Sequence, residues 1–306
     1  MLFLFLAICC SSSIALLFRH SESRDMNRYV VTAANYVTAA VIATLFALTR
    51  PPQLETGRAY ENSTAALRRI VNGIFNNQVE TFGSEWAVLI GLIAGPVFIL
   101  AFIFYQKSIR QNAVGLTGAI AKLGILLPMS LSLVLWREQP TLLQWIGMSL
   151  AVLSLLVAYL PRAAGREARS RLLLVLLFLF GGLAEFSNKV FQKYGSLDDR
   201  ALFLAVTFAT ALVVGVVVVA ARRMRVRGRD VAVGLMIGIP NLFSSYFLIM
   251  ALDSIPAAVA FAAFGAGTIV VINVGGMILF GERLARHEWT AVGLTIVALL
   301  LMYLPS

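Results

Sequence analysis

Residues 137–161, REQPTLLQWIGMSLAVLSLLVAYLP, are answered 144 residues later by residues 281–305, GERLARHEWTAVGLTIVALLLMYLP. The overlay needs no gap: Glu138 falls on Glu282, Trp145 on Trp289, and Tyr159-Leu160-Pro161 on Tyr303-Leu304-Pro305. Carried backwards, the same offset sets Pro96 on Pro240 and Phe102 on Tyr246, so the register runs over about 65 residues of apolar sequence. One unit is written twice. Many transporters place their solute site near the bilayer midplane at the interface of such duplicated hydrophobic units.

The chain is 59% hydrophobic and only 13% charged, whereas a soluble domain is about a quarter charged. It divides into ten apolar stretches, near 1–18, 30–48, 86–106, 111–136, 142–160, 172–194, 200–221, 231–252, 256–280 and 287–304. Each is long enough to cross a hydrocarbon core of about 30 Å as a helix. Lipid offers the backbone no hydrogen bonds, and unbroken apolar runs lack the alternation of a barrel, so the expected fold is an all-α membrane bundle of ten transmembrane helices. Met1 to Ala7 carries no positive residue before its apolar run and is read as part of a first span, not a signal peptide. The net charge of +10 does not point to nucleic acid: of 25 Lys and Arg, all but Lys122 and Lys189 fall in loops or at helix ends. Cys9 and Cys10 are adjacent in the first span and read as small packing residues.

Residues 162–171 form a polar linker between two repeats, 1–161 and 172–306, with five spans before it and five after. An odd number of spans per unit makes the second copy enter from the opposite side, so the duplication is expected to be an inverted-topology repeat. The long connection 49–85 holds Asn62-Ser63-Thr64, a weak match to a glycosylation acceptor and more simply a helix cap. After it, Leu67, Ile70, Val71, Ile74 and Phe75 recur at helical spacing beside Arg68 and Arg69, which predicts an amphipathic helix on the membrane surface. Loops after odd-numbered spans carry sixteen Lys and Arg against seven in the others, a bias that puts both termini outside. The run Arg222, Arg223, Arg225, Arg227 and Arg229 supplies much of it and reads as a topology signal.

Leu127-Pro128, Trp136-Arg137-Glu138 and Trp145-Ile146-Gly147-Met148, with Gly281-Glu282-Arg283-Leu284 and Trp289 in the second copy, together with the five-plus-five order, resemble the EamA-type branch of the drug/metabolite transporter superfamily. The resemblance covers nearly the whole chain. It implies alternating-access secondary transport of a small organic solute, often export of amino acids, related metabolites or drugs, in the cell (inner) membrane as a monomer or homodimer. It also implies cytoplasmic termini, contrary to the charge bias, and a shorter connection than 49–85.

Three formally charged side chains fall well inside the expected spans, away from their ends: Lys122 in the fourth and Glu185 and Lys189 in the sixth. An ionised group at that depth costs roughly 2.5 to 3.5 kcal/mol on insertion scales, so each is a functional candidate. Glu185 is the intramembrane carboxylate best suited to loading and releasing a proton; its plainer role is an i, i+4 pair with Lys189 or a cross-helix pair with Lys122. Lys122 either neutralises Glu185 or holds a substrate carboxylate or phosphate; its repeat mate is Ala266, so the copies differ chemically there. Asn241, Ser244 and Ser245 share a face after Pro240, with Tyr246 beside them, and mark a cavity wall or interhelical hydrogen bonding. Asn35, Tyr36, Asn188, Thr268 and Asn273 are similar candidates. Gly115, Gly118 and Gly124 in the fourth span, and Gly265, Gly267, Gly275 and Gly276 in the ninth, predict that these two helices pack together and pivot. Glu138 and Glu282 suit anchoring near a helix amino terminus.

Transport of a small polar or zwitterionic metabolite, with protons as the counter-solute, is therefore the leading expectation. An intramembrane enzyme acting on a lipid-linked substrate is the rival class, but His20 and His287 lie at span ends and no paired intramembrane acids are present. A non-transporting scaffold would not require charges at membrane depth. No cofactor and no metal are called for.

Overall fold

The computed structural model describes residues 1–24, 26–49, 83–111, 114–163, 170–280 and 285–303. The amphipathic stretch and the Asn62 triplet, most of the linker, and Glu282 lie outside them. Among the described residues the elements are helices: α1 (Leu2–Ser23), α2 (Arg28–Thr49), α3 (Ser84–Gln111), α4 (Val114–Leu123), α5 (Leu126–Leu135), α6 (Leu142–Ala163), α7 (Arg171–Tyr194), α8 (Arg200–Ala221), α9 (Gly228–Ser254), α10 (Ala257–Phe280) and α11 (Arg286–Tyr303). A single 3-10 turn, Leu197–Asp199, leads into α8. Helices α2, α3, α7, α8, α9 and α10 are long and apolar enough to cross a membrane, and shorter apolar stretches lie at Leu2–Phe18, Ile120–Leu135 and Leu142–Val157. The chain is a multi-pass membrane protein.

The fourth expected span is not continuous. Pro128 has no N–H to give the Gly124 carbonyl, which instead accepts from Leu127 at 3.0 Å, three residues on; Ile125 likewise donates to Lys122 at 3.4 Å. The ladder tightens for one turn and separates α4 from α5 immediately after Lys122. In α10 the corresponding residue is Ile272, and that helix runs unbroken.

Two buried clusters organise the bundle. One is built from α2, α3, α8, α9 and the end of α7, with Phe191, Phe203, Phe208, Leu204, Leu242 and Ile249 fully enclosed. The other joins α5, α6, α10 and α11 around Met148, Leu155, Phe261 and Ile269, with α1 packed onto it. Helix α7 touches both groups, against α3 on one side and α4 and α5 on the other. Helix α3 packs on α7 and α8 as α9 packs on α1 and α2; α2 meets α8, and α6 meets α11.

Glycine lets two of these pairs approach closely. Gly91 and Gly95 of α3 sit against Phe203, Val206, Thr207 and Thr210 of α8, while Gly234 and Gly238 of α9 sit against Val31, Ala34, Asn35 and Thr38 of α2. A Cβ at any of the four would collide with backbone or with a β-carbon of the facing helix.

The ends of α6 and α11 are built alike. The Thr141 N–H donates to Gln144 Oε1 at 3.0 Å, and the Ala285 N–H donates to Glu288 Oε2 at 2.7 Å. Each side chain reaches back to the residue before its helix, as in a capping box. Gln144 and Glu288 are 144 residues apart.

The expected packing of the fourth and ninth spans on each other is found where Gly265 of α10 meets Ile125, but Gly124, Gly267 and Gly275 do something different. Gly124 lies against Phe178 and Gly182 of α7, whereas Gly267 and Gly275 admit Ile8 and Leu16 of α1. The small residues thus seat α1 and α7 at least as much as they join α5 to α10.

Candidate functional site

The break after Lys122 and the glycine contact to α7 determine what Lys122 can reach. With no side chain at Gly124 or Gly182, α7 comes backbone to backbone with the α4–α5 junction, and Leu127 packs over the same spot. This close approach brings Lys122 and Glu185, three residues beyond Gly182, within electrostatic reach of each other. Both are half-buried within the protein. Asn188, one turn further along α7 and fully buried, donates its side-chain N–H to Glu185 Oε2 at 3.5 Å. The Asn188 Oδ1 atom is enclosed with no hydrogen-bond partner. An orphaned buried acceptor costs about 1 to 3 kcal/mol, so the place beside Glu185 suits a donor supplied from outside the protein.

Lys189 does not pair with Glu185. It is buried, and its Nζ lies 3.7 Å from Glu138 Oε1, 2.9 Å from Gln192 Oε1, to which it donates, and 5.5 Å above the Trp136 ring. The i, i+4 pair expected along α7 is replaced by a bridge to the α5–α6 connection. Trp136 is held in turn by donating its indole N–H to the Tyr194 hydroxyl at 3.0 Å and by stacking on Phe186 with centroids 5.5 Å apart.

Glu138 is the residue whose role the sequence described only in outline. Helix α10 follows Pro256, whose side chain cannot accept the free N–H groups of the first turn. Glu138 accepts both, from Ala257 to Oε1 at 3.0 Å and from Ala258 to Oε2 at 2.9 Å. It therefore caps α10, and not the helix that follows it in its own repeat. Arg137, at φ 48°, turns the chain in the left-handed conformation just past α5 and aims Glu138 across the bundle.

The remaining polar candidates are mostly engaged between helices. Asn241 donates to Asn35 Oδ1 at 3.1 Å, and Ser244 to the Ala7 carbonyl at 3.4 Å. Thr268 bonds the Phe264 carbonyl at 2.6 Å, and its own carbonyl accepts from Ser12 at 3.4 Å. Ser245 is buried, and Tyr36 is buried against Phe208. Tyr246 lies among Phe46, Phe243 and Phe247, with the Arg200 guanidinium 4.9 Å from its ring. The Asn273 side-chain nitrogen is enclosed without a partner in α10. Asn188 bonds Glu185, and Lys122 is in electrostatic reach of that carboxylate; Lys189 belongs to a second cluster with Glu138, and Asn35 and Asn241 form a pair of their own.

An all-helical multi-pass protein with charged groups between its two buried clusters is the class that the fold defines. Residues 202–297, from α8 into α11, match the Small Multidrug Resistance protein family. An uncharacterized protein of Haemophilus influenzae is 22% identical over 305 residues, 98% of this chain and 97% of that protein. A crystal structure of another protein superposes with a TM-score of 0.68 at 16% identity, covering 99% of this chain and 95% of that one. The last likeness is one of fold.

Proposed function

We propose that this protein is a secondary active transporter of the EamA-like, drug/metabolite type. It exports a small polar organic metabolite, such as an amino acid or related compound, across the cell (inner) membrane, and Glu185 carries the coupling proton. The observation that best supports this reading is Asn188, whose side-chain N–H donates to Glu185 while its Oδ1 stays enclosed without a partner, with Lys122 in electrostatic reach of the same carboxylate. A zwitterionic solute presents complementary charges and a hydrogen-bond donor to these groups. The match of residues 202–297 to a small-multidrug family supports transport.

In this reading 1–161 and 172–306 are two inverted repeats joined by 162–171. The paired glycine contacts of α3 and α9, the matched caps of α6 and α11, and the reciprocal packing of the helices all support that arrangement. The solute moves between the cluster of α2, α3, α8 and α9 and the cluster of α5, α6, α10 and α11, with α7 carrying charge at their boundary. At one end Glu138 and Lys189 tie the α5–α6 connection to α7 and α10, and this tie parts when the pathway opens to that side.

Reconstitution in liposomes with amino acids and related zwitterions, under an imposed pH gradient, tests the proposal. Gradient-dependent movement of a solute is expected, and Glu185→Gln abolishes the dependence on the gradient. Absence of movement for every solute, or an unchanged gradient dependence in Glu185→Gln, rules out the coupling mechanism.

A further inference from the structure

The tie between Glu138 and Lys189 is held unequally from its two sides. Glu138 is fixed to α10 by bonds from the Ala257 and Ala258 N–H groups at 3.0 and 2.9 Å, whereas Lys189 Nζ stands 3.7 Å from its Oε1. That separation exceeds a hydrogen bond, so attraction of charge, not a directed bond, joins α7 to the carboxylate. Both side chains are largely buried, Glu138 at 14% and Lys189 at 7% exposure. The surroundings of the lysine are finished for an ammonium group. Gln192 Oε1 accepts from it at 2.9 Å, and the centroid of the Trp136 ring lies 5.5 Å away, the indole itself fixed by Tyr194 and Phe186. Gln192 leads on to the surface, donating at 3.5 Å to Asp253, which is exposed at the end of α9. A carboxylate, an amide oxygen and an indole face thus form a cation seat beneath an acidic rim, and the protein's own lysine sits in it.

An ion of one sign cannot part this pair without leaving a charge behind. An amine that takes Glu138 strands Lys189, and an acid that takes Lys189 strands Glu138; either leaves one buried charge uncompensated. A solute carrying both charges satisfies both groups. We infer that the tie is itself a recognition site for zwitterions: the solute's ammonium replaces Lys189 on Glu138 and the Trp136 face, its carboxylate takes the lysine, and α7 parts from α10. Glu138 stays with α10, to which it is bonded, and Lys189 moves with α7. This rests on the transporter reading above and adds that the gate at this end opens to a zwitterion and stays shut to a simple amine or acid.

The full chain, purified in detergent at neutral pH, is titrated with alanine, with ethylamine, which is alanine without its carboxylate, and with propionate, which is alanine without its amine. Binding is read from the rise in melting temperature, and uptake of alanine into proteoliposomes is measured in parallel. Alanine is expected to bind at least about tenfold more tightly than either fragment. Lys189→Met leaves Glu138 without its internal cation and erases the difference by admitting ethylamine, whereas Lys189→Arg keeps the preference. Should Lys189→Met not fold, Lys189→Gln, which can still donate to Glu138 but carries no charge, takes its place. Failure of alanine to bind, equal binding of alanine and ethylamine to the unaltered chain, or a preference that Lys189→Met retains overturns the proposal. A preference lost only in Lys122→Met places the recognition beside Glu185 and overturns it as well. Binding with the expected pattern but no uptake leaves the gate site standing and refutes transport of alanine; uptake without the pattern refutes the gate site alone.

Discussion

Glu138 and Lys189 meet at 3.7 Å across the bundle, and the same carboxylate accepts the first two N–H groups of α10. A single side chain thus joins the α5–α6 connection to α7 and α10. Glu138→Ala removes a cap and an ion-pair partner together and leaves Lys189 buried with Gln192 as its remaining hydrogen-bond acceptor. A loss of about 2 kcal/mol is expected, roughly 1 of it from the cap. A double-mutant cycle with Lys189→Met, measured by thermal melting in detergent, returns a coupling of about 1 kcal/mol. A coupling of zero would mean that Lys189 is held by Gln192 and Trp136 alone.

If Lys122 and Glu185 compensate one another, removing both charges harms the fold less than removing one. Lys122→Met alone leaves Glu185 uncompensated at membrane depth and is expected to cost about 3 kcal/mol. The double variant Lys122→Met/Glu185→Gln should recover at least half of that in melting experiments while remaining inactive in transport. Equal destabilisation in the single and double variants would show that the two charges do not compensate one another.

Arg137 occupies a left-handed backbone conformation that costs a non-glycine residue about 1 kcal/mol. Arg137→Gly therefore raises stability slightly or leaves it unchanged, although it deletes a charge. A clear loss in melting temperature would assign the arginine side chain a contact of its own.

The sequence made the apolar helices visible, because lipid forces every backbone group into a helix and the apolar runs mark them. It also offered Lys122 as one of two partners for Glu185, the other being Lys189, since few charges lie at membrane depth. It did not reveal that Glu138 caps α10, because the two are more than a hundred residues apart and the cap replaces what Pro256 cannot supply. The break at Gly124 was legible in Pro128, whose missing N–H had to be made good one residue earlier. The glycine motifs were hidden by the ungapped overlay: Gly91-Leu92-Ile93-Ala94-Gly95 and Gly234-Leu235-Met236-Ile237-Gly238 stand 143 residues apart, and Ile239 restores the offset before Pro240. Thr141-Leu142-Leu143-Gln144 was a readable helix start whose acceptor at the fourth place recurs as Glu288.

That one-residue shift has a consequence for stability. Gly95→Ala and Gly238→Ala each drive a carbon into the facing helix, at Thr207 and Thr210 or at Asn35 and Thr38, and each is expected to cost about 1 to 3 kcal/mol. Gly293→Ala, with nothing in the way, is neutral or stabilising by up to about 1 kcal/mol. Melting of the three variants side by side tests whether both glycine motifs set the distance between helices.

Gly181 and Gly182 are neighbours with opposite surroundings, and the difference isolates the junction that holds Lys122. A Cβ at Gly181 meets nothing within 4 Å, but one at Gly182 would strike the Gly124 carbonyl and the Leu127 β-carbon, 2.7 Å away. Neither the carbonyl nor the β-carbon can swing aside, so α7 has to withdraw from the α4–α5 break, and Glu185 withdraws with it. Gly182→Ala is therefore expected to lower stability by about 1 to 3 kcal/mol and to reduce transport at temperatures where the protein remains folded. Gly181→Ala should keep both. Replacing Leu127 by Gly beside Gly182→Ala removes one of the two obstacles, the β-carbon, and should restore part of the lost transport if spacing is the cause. Transport by Gly182→Ala equal to that of Gly181→Ala would show that the close contact serves packing and not the charged pair.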